Sequence, residues 1–315
     1  MRTINYLSIF LACCFMTLFN AALQAQTPII DVKRQFTGIH TLEIESAWLE
    51  VSYEGVAGQE TLEAHAFLKG NFQDVDIVFV EVEGVLKVAY RQKSGRTTVI
   101  NSRDQGFIRM KGPEKLEMRL TSGSGKVQVS GISGKAFQAE IGSGNFRAEK
   151  IHVQTLELVG RSGNLELSDT RGDLSGKVSS GSLRLNRHTG DADLQASSGN
   201  LRGTEINGVL ELSLSSGSAN FSNVDKLQAA KVSSGLMTFS DTGLLPSTTL
   251  SSSSGNIRIQ TNDDLRAYRY DLKAGSGRIR IGDLYSGSSI RVSPQEEGEA
   301  FISATVSSGL IQVVN

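Results

Sequence analysis

Apolar and polar residues alternate with a period of two over most of the chain, and one version of this alternation recurs. Apolar residues stand two and four positions after a glycine, as Leu183 and Leu185 do after Gly181, and as Leu201 does after Gly199. Residues two apart lie on one face of a strand. The recurring pattern therefore predicts strands that bury one face, and hence an all-β protein.

The glycines that precede these strands recur at a nearly constant interval. The intervals are 18 or 19 residues as far as Gly235, and they then lengthen to 20, 22 and 32 residues. We call these ten residues the key glycines: Gly125, Gly144, Gly163, Gly181, Gly199, Gly217, Gly235, Gly255, Gly277 and Gly309. Each is predicted to form a corner with positive φ, a conformation that glycine adopts without strain.

A fixed period of this length is typical of stacked repeats. The sequence predicts a single-chain parallel β-solenoid of about ten coils of 18–20 residues each, spanning residues 121–315. A second corner in each coil is predicted at Gly134, Gly172, Gly190 and Gly208. An antiparallel meander or sandwich is the alternative. The solenoid is favoured because in-register stacking requires the same buried face at the same offset in every repeat.

Residues 26–120 are predicted to be a strand-rich segment that starts the same stack. Period-two alternation runs from Phe36 to Tyr90, and Glu83-Gly84 is predicted to be a hairpin turn. Charged and small residues between Gln92 and Gln105 predict a loop. No linker separates this segment from the repeats, so one continuous core is expected.

The first 25 residues are predicted to be a secretory signal peptide. Arg2 precedes an apolar run from Ile4 to Leu23, and Ala25 provides a small residue for cleavage. A membrane anchor and a lipoprotein modified at Cys13 or Cys14 are the alternatives, and the apolar run continues well past both cysteines. The protein is therefore expected to be exported to the periplasm, the outer surface or the medium, with no disulfide in the mature chain.

Composition narrows the classes of function. The chain has 32 Lys and Arg against 33 Asp and Glu, a net charge of −1, which gives no reason to expect a nucleic-acid partner. The four histidines lack metal-ligand spacing, and His188 is predicted to be a corner histidine packed against the core. We find no catalytic motif. The sequence thus predicts a non-enzymatic protein without a metal or cofactor.

The outward position three residues after each key glycine is rich in arginine. Five of its ten residues are arginine: Arg147, Arg184, Arg202, Arg258 and Arg280. Stacking is predicted to set Arg184 beside Arg202, and Arg258 beside Arg280. A row of guanidinium groups suits carboxylates, phosphates or sulfates along an extended polymer. The alternative is an ordinary solvated strand face.

Several key glycines belong to the tripeptide Ser-Ser-Gly, which is followed by alternating apolar residues. It occurs at 179–181, 197–199, 215–217, 233–235, 253–255 and 307–309. With these repeats, the chain from about Ile39 to Asn315 resembles the bacterial putative-adhesin domain of unknown function, which is similar to the head domain of auto-transporter adhesins. The resemblance implies an exported parallel β-solenoid and no catalytic residues.

Three functions remain as hypotheses. The first is an adhesin-like surface or envelope module that binds a glycan or another surface polymer, and the second is a structural or stress-signalling envelope component with protein partners. The third, a polysaccharide-cleaving enzyme, is disfavoured because short corners build no cleft walls, except at an insertion from Gly282 to Ala300. The last strand, residues 311–315, lacks a capping segment, which predicts self-association through its edge.

Overall fold

The computed structural model describes residues 28–93, 104–286, 290–292 and 301–315. The predicted signal peptide and the centre of the predicted loop between Gln92 and Gln105 lie outside these ranges. The strands are β1 Ile30–Thr37, β2 Thr41–Ala47, β3 Glu50–Val56, β4 Thr61–Lys69, β5 Val75–Val82, β6 Val85–Gln92, β7 Gln105–Pro113, β8 Glu117–Ser122, β9 Lys126–Ile141, β10 Asn145–Gly160, β11 Asn164–Val178, β12 Ser182–Thr189, β13 Ala192–Ala196, β14 Asn200–Leu214, β15 Ser218–Val232, β16 Leu236–Ser252, β17 Asn256–Gln260, β18 Arg269–Ala274, β19 Arg278–Ile281, β20 Leu284–Ser286, β21 Ile290–Val292, β22 Phe301–Val306 and β23 Leu310–Val314. A single 3-10 helix, Leu265–Ala267, interrupts the described strands.

Each repeat contributes two strand segments, and each segment pairs in parallel with the same segment of its neighbours. In β14, Asn200–Thr204 pairs with β12 and β15, and Leu210–Leu214 pairs with β13 and β15. We call the surface formed by the segments that follow the key glycines the first face, and the surface formed by the other segments the second face. The protein is all-β, as the alternation predicts.

The core follows the predicted alternation. Leu201 is 1 % exposed and lies between Leu183 and Ala219 in register, whereas Asn200 beside it is exposed. One continuous cluster of buried apolar residues extends from Ile39 to Val313. The N-terminal strands and the repeats therefore share a core.

The key glycines are needed for close packing of neighbouring strands. The prediction that they have positive φ is wrong in nine of ten cases. Only Gly217 among them has a positive φ, 101°. A Cβ atom on Gly181 would lie 2.1 Å from the carbonyl oxygen of Gly163, and other key glycines make the same approach to the coil beside them. Stacking at this distance leaves no room for a side chain.

Non-glycine residues form the left-handed corner instead. Six residues that stand six positions after a key glycine have φ between 49° and 58°: Lys150, Asp169, Arg187, Glu205, Asn223 and Asp241. This corner has no glycine signature, so the sequence did not predict it. The predicted second corner has positive φ at Gly172, Gly190 and Gly208, but not at Gly134.

The N-terminal end of the stack is built from strands of mixed direction. On the first face the order is β9, β3, β7, β4 and β1, and β4 is antiparallel to both β7 and β1. On the second face the order is β9, β8, β2, β6 and β5. Glu83 and Gly84 have φ of 50° and 77° between the antiparallel strands β5 and β6, which confirms the predicted hairpin turn.

The C-terminal strands do not follow sequence order. Strand β23 pairs in parallel with β17 on one side and with β19 on the other, so that Gly309 lies between Gly255 and Gly277. Val313 is 0 % exposed. The predicted open edge at residues 311–315 is therefore wrong, and with it the predicted self-association through that edge. Antiparallel strand β20 covers β19, and within the described residues the strands with one unpaired side at the other end are β1 and β5.

Candidate functional site

A single row of outward side chains runs along the first face, one residue from each strand. We call it the basic row. From the N-terminal end it contains Lys33, His65, Arg109, Ser52, Gln128, Arg147, Glu166, Arg184, Arg202, Asn220, Thr238, Arg258, Gln312 and Arg280. Strands lie about 4.8 Å apart, so the row is about 60 Å long. It carries one acidic residue, Glu166.

The five predicted arginines all belong to the basic row and are all exposed. Arg184 and Arg202 are direct neighbours on β12 and β14, as predicted. Arg258 and Arg280 are not neighbours, because Gln312 of β23 lies between them. That prediction is wrong for the same reason as the predicted open edge, namely the insertion of β23 into the stack.

The structure places three further basic residues in the basic row. They could not be predicted from their distance to a key glycine. Lys33, His65 and Arg109 are direct neighbours on β1, β4 and β7, and Arg109 is followed by Ser52 of β3. Their outward direction follows from the alternation. Their place in the row does not, because it depends on the antiparallel pairing order at the N-terminal end.

A ladder of amide and hydroxyl groups runs beside the basic row. The Asn164 side-chain amide donates to Oδ1 of Asn145 at 3.1 Å, and the Ser182 hydroxyl donates to Oδ1 of Asn164 at 2.8 Å. Farther along, the Ser218 hydroxyl donates to Oδ1 of Asn200 at 2.9 Å. The ladder and the row line a groove of about 510 Å³ between Lys126 and Arg202. Its polar groups can bind a hydroxylated ligand beside the guanidinium groups.

The central arginines of the row make no ion pair with a carboxylate, unlike several other surface arginines among the described residues. Among the described residues, no carboxylate oxygen lies within 4.0 Å of Arg147, Arg184 or Arg202. Other surface arginines are paired at 2.5–2.9 Å, in the pairs Arg119–Glu43, Arg161–Glu140, Arg187–Asp169 and Arg266–Asp264. Pairing with Arg187 lowers the pKa of Asp169. The basic row therefore presents guanidinium groups that no ion pair occupies, with Glu166 as the one carboxylate between Arg147 and Arg184.

His188 is a structural residue, as predicted. It is 0 % exposed, its Nδ1 lies 2.9 Å from the Thr170 hydroxyl, and it stacks between Thr170 and Ile206. Burial lowers its pKa. Within the described ranges, no group of three His, Cys, Asp or Glu residues could hold a metal ion.

The predicted insertion from Gly282 to Ala300 is only partly described. Tyr285 pairs with Arg280 at the end of the basic row and is 61 % exposed. The acidic residues Glu296, Glu297 and Glu299 lie outside the described residues. No helix in the described part of the chain is long and apolar enough to cross a membrane.

The profile of the Toastrack DUF4097 family, a domain of unknown function, matches residues 39–313, and the chain belongs to this family. This confirms the resemblance that the Ser-Ser-Gly repeats indicate. No curated protein matches the chain.

Several solved structures are similar to this chain. A putative adhesin from Parabacteroides distasonis is 13 % identical, with 90 % of this chain and 97 % of that chain covered and a TM-score of 0.47. A putative lipid binding protein from the same species is 15 % identical, with coverage of 90 % and 97 % and a TM-score of 0.44. A putative adhesin from Parabacteroides merdae is 11 % identical, with coverage of 90 % and 96 % and a TM-score of 0.38. These are similarities, and no ligand follows from them.

Proposed function

We propose that this protein is an exported, non-enzymatic envelope or surface protein that binds an extended anionic polymer, such as an acidic glycan, along the basic row. The observation that carries the proposal is the line of exposed arginines without carboxylate partners. A guanidinium group donates a planar pair of hydrogen bonds that fits carboxylate, sulfate and phosphate groups. A polymer with such groups at regular spacing can contact several row positions at once.

The proposal includes the architecture that aligns the side chains of the basic row. We propose that the repeats form a parallel β-solenoid, because each segment pairs in parallel with the next at a shift of one repeat. Stacking then repeats each outward side chain at the strand spacing of about 4.8 Å. The export and the signal peptide at residues 1–25 are part of the same proposal and rest on the sequence alone.

The geometry gives a reason to prefer binding over cleavage. The row is a shallow line of single side chains, and the polar residues that line the groove beside it are Asn, Ser, Gln, Lys and Arg with a single carboxylate, that of Glu166. Hydrolysis of a glycosidic bond usually requires two carboxyl groups on either side of the scissile bond. We therefore propose a binding function for this face.

The test is binding of the full chain to a charged polymer and to its uncharged counterpart. Dextran sulfate and unmodified dextran share a backbone and differ in charge, and biolayer interferometry can compare them from 20 to 500 mM NaCl. We expect binding to dextran sulfate only, weakening steeply with salt because screening shortens the Debye length to about 8 Å at 0.15 M. Equal binding to both polymers, or binding to neither at low salt, would refute the proposal and favour a protein-partner function.

A further inference from the structure

A concavity of about 830 Å³ lies where the basic row reaches its N-terminal end. Strands β1, β3, β4 and β7 line it. Its basic lining includes Lys33, His65, Arg109 and Lys111, and Glu54 and Glu63 are its acidic members. This volume is within the usual range for a small-molecule site, and it is larger than the groove beside the central arginines.

Arg109 is held in a fixed position on this surface by an aromatic stack. Its guanidinium carbon lies 4.0 Å from the centroid of the Phe107 ring. Phe107 stacks on Phe67 with a centroid distance of 5.1 Å and an interplanar angle of 11°, and the His65 ring contacts Phe107 edge-on. A cation over an aromatic face is stabilised by the ring quadrupole. The stack therefore favours one orientation of the Arg109 guanidinium group.

Ion pairs and hydrogen bonds occupy some of the charged groups of the concavity but not Lys33 or Arg109, and Arg34, which also lines it, lies 5.8 Å from the centroid of the Phe79 ring. Lys111 pairs with Glu54 at 3.3 Å, and His65 contacts Asp31 at 2.8 Å. Glu63 accepts a hydrogen bond from the Gln35 amide at 3.4 Å. Among the described residues, no carboxylate oxygen lies within 4.0 Å of Lys33 or Arg109. These two residues stand on either side of His65 in the row, about 10 Å apart at the backbone.

The concavity also marks the end of the row. Strand β1 pairs with β4 on one side, and no described strand pairs with its other side. Within the described part of the chain, the basic row therefore ends at Lys33. The central groove, by contrast, continues on both sides.

We infer that this concavity binds the terminal acidic saccharide of the polymer, with the carboxylate or sulfate group on the fork of Arg109 and Lys33 as a second contact. This inference rests on the proposed function and adds that the protein recognises a chain end. Phe107 is a positioning residue, because it acts by holding Arg109. The shared ligand chemistry is an anionic group on a sugar ring.

Disaccharides are the probes that separate the end site from the row, because they are too short to reach the central arginines from the concavity. An NMR titration of the full chain with a glucuronic-acid-containing disaccharide and with a sulfated disaccharide distinguishes the two anionic groups. We expect Arg109→Gln to weaken binding of the preferred disaccharide about tenfold, the effect of losing one charge-assisted contact. Phe107→Leu retains the charge but removes the stack, and we expect it to weaken disaccharide binding about threefold.

The matched control is Arg184→Gln with Arg202→Gln, which removes two charges from the same row at a distance from the concavity. This double variant should keep the disaccharide-induced shifts that the parent shows at Lys33 and Arg109, and it should bind dextran sulfate less tightly. If the parent binds dextran sulfate but neither disaccharide, or if Arg109→Gln binds the disaccharides unchanged, the end site is refuted and the proposed function stands. If the disaccharides bind at Arg109 but the polymer does not bind, the end site stands and the row function is refuted.

Discussion

Arg184 lies directly opposite Arg202 on neighbouring parallel strands, and in the described part of the protein neither guanidinium has a carboxylate within 4.0 Å. Like charges this close on adjacent strands repel modestly. On its other side Arg184 faces Glu166 of β11 and Arg202 faces Asn220 of β15, so no carboxylate separates the two arginines from each other. The pair is thus the most direct place to test the function of the row.

The first prediction is that Arg184→Gln combined with Arg202→Gln weakens binding to dextran sulfate about tenfold at low salt and flattens the salt dependence. Lys177→Gln with Lys231→Gln removes the same charge from the second face and should leave affinity unchanged. Both variants should stay within about 0.5 kcal/mol of the parent in unfolding free energy. If the two double variants lose affinity equally, net charge alone governs binding.

The second prediction concerns the alternation of buried and exposed residues along a strand. Leu201→Asp places an unpaired carboxylate between Leu183 and Ala219 in the core and should destabilise the fold by several kcal/mol. Asn200→Asp, one residue earlier and exposed, keeps the oxygen that accepts from Ser218 and should cost under about 1 kcal/mol. Urea unfolding followed by circular dichroism measures both. Similar losses in the two variants would contradict the burial pattern.

The third prediction compares two reasons why a position requires glycine, namely lack of space for a Cβ atom and a positive φ. At Gly181 a Cβ would lie 2.1 Å from the carbonyl oxygen of Gly163, whereas Gly38 has a φ of 70° with nothing within 4 Å of the added atom. Gly181→Ala should therefore destabilise by about 3 kcal/mol through overpacking, and Gly38→Ala by about 1 kcal/mol through backbone strain. Thermal unfolding compares them. A larger effect at Gly38 would mean that φ matters more than stacking distance.

The fourth prediction concerns strand β23. Because it pairs on both sides, its amides should exchange with solvent as slowly as those of Asn256–Gln260 in β17, measured by hydrogen–deuterium exchange. Val313→Pro removes a backbone donor from a central strand and should strongly destabilise the C-terminal coils. Fast exchange at Leu310–Val314 in the parent would restore the open-edge interpretation.

The fifth prediction is a pH dependence of stability. Burial lowers the pKa of His188 below its ordinary value of 6.5, so the unfolded chain binds a proton that the folded chain excludes. Stability is then complete above pH 6.5 and declines as the pH falls below it. His188→Ile with Thr170→Val removes both hydrogen-bonding partners and matches the apolar neighbours Ile151 and Ile206.

For that double variant, the unfolding free energy should change less between pH 7 and about pH 5 than it does in the parent. The carboxylate of Glu45 contributes in a separate window. Its hydrogen bond with Lys87 lowers its pKa, so its contribution is lost only below the ordinary value of 4.5. An unchanged slope above pH 5 in the double variant would exclude His188 as the titrating group.

The sequence by itself was sufficient for the local geometry of the regular repeats. A constant 18-residue interval brings each apolar residue beside its equivalent in the next coil, which is why Leu183, Leu201 and Ala219 are neighbours and why Arg184 lies beside Arg202. The two-residue period of a strand then decides which side chains are buried. The His188 environment follows in the same way, because its column holds Ile and Thr in the adjacent coils.

Only the tertiary structure decided the order of strand pairing at the two ends of the stack. It also showed that close packing, and not positive φ, is the reason for most key glycines. Where the interval lengthens to 32 residues before Gly309, sequence spacing no longer indicates which coil is the neighbour, and pairing on both sides places β23 between β17 and β19. The pairing order of β1, β4, β7 and β3 brings Lys33, His65 and Arg109 into the basic row. Such contacts join residues far apart in the chain, and short-range periodicity carries no information about them.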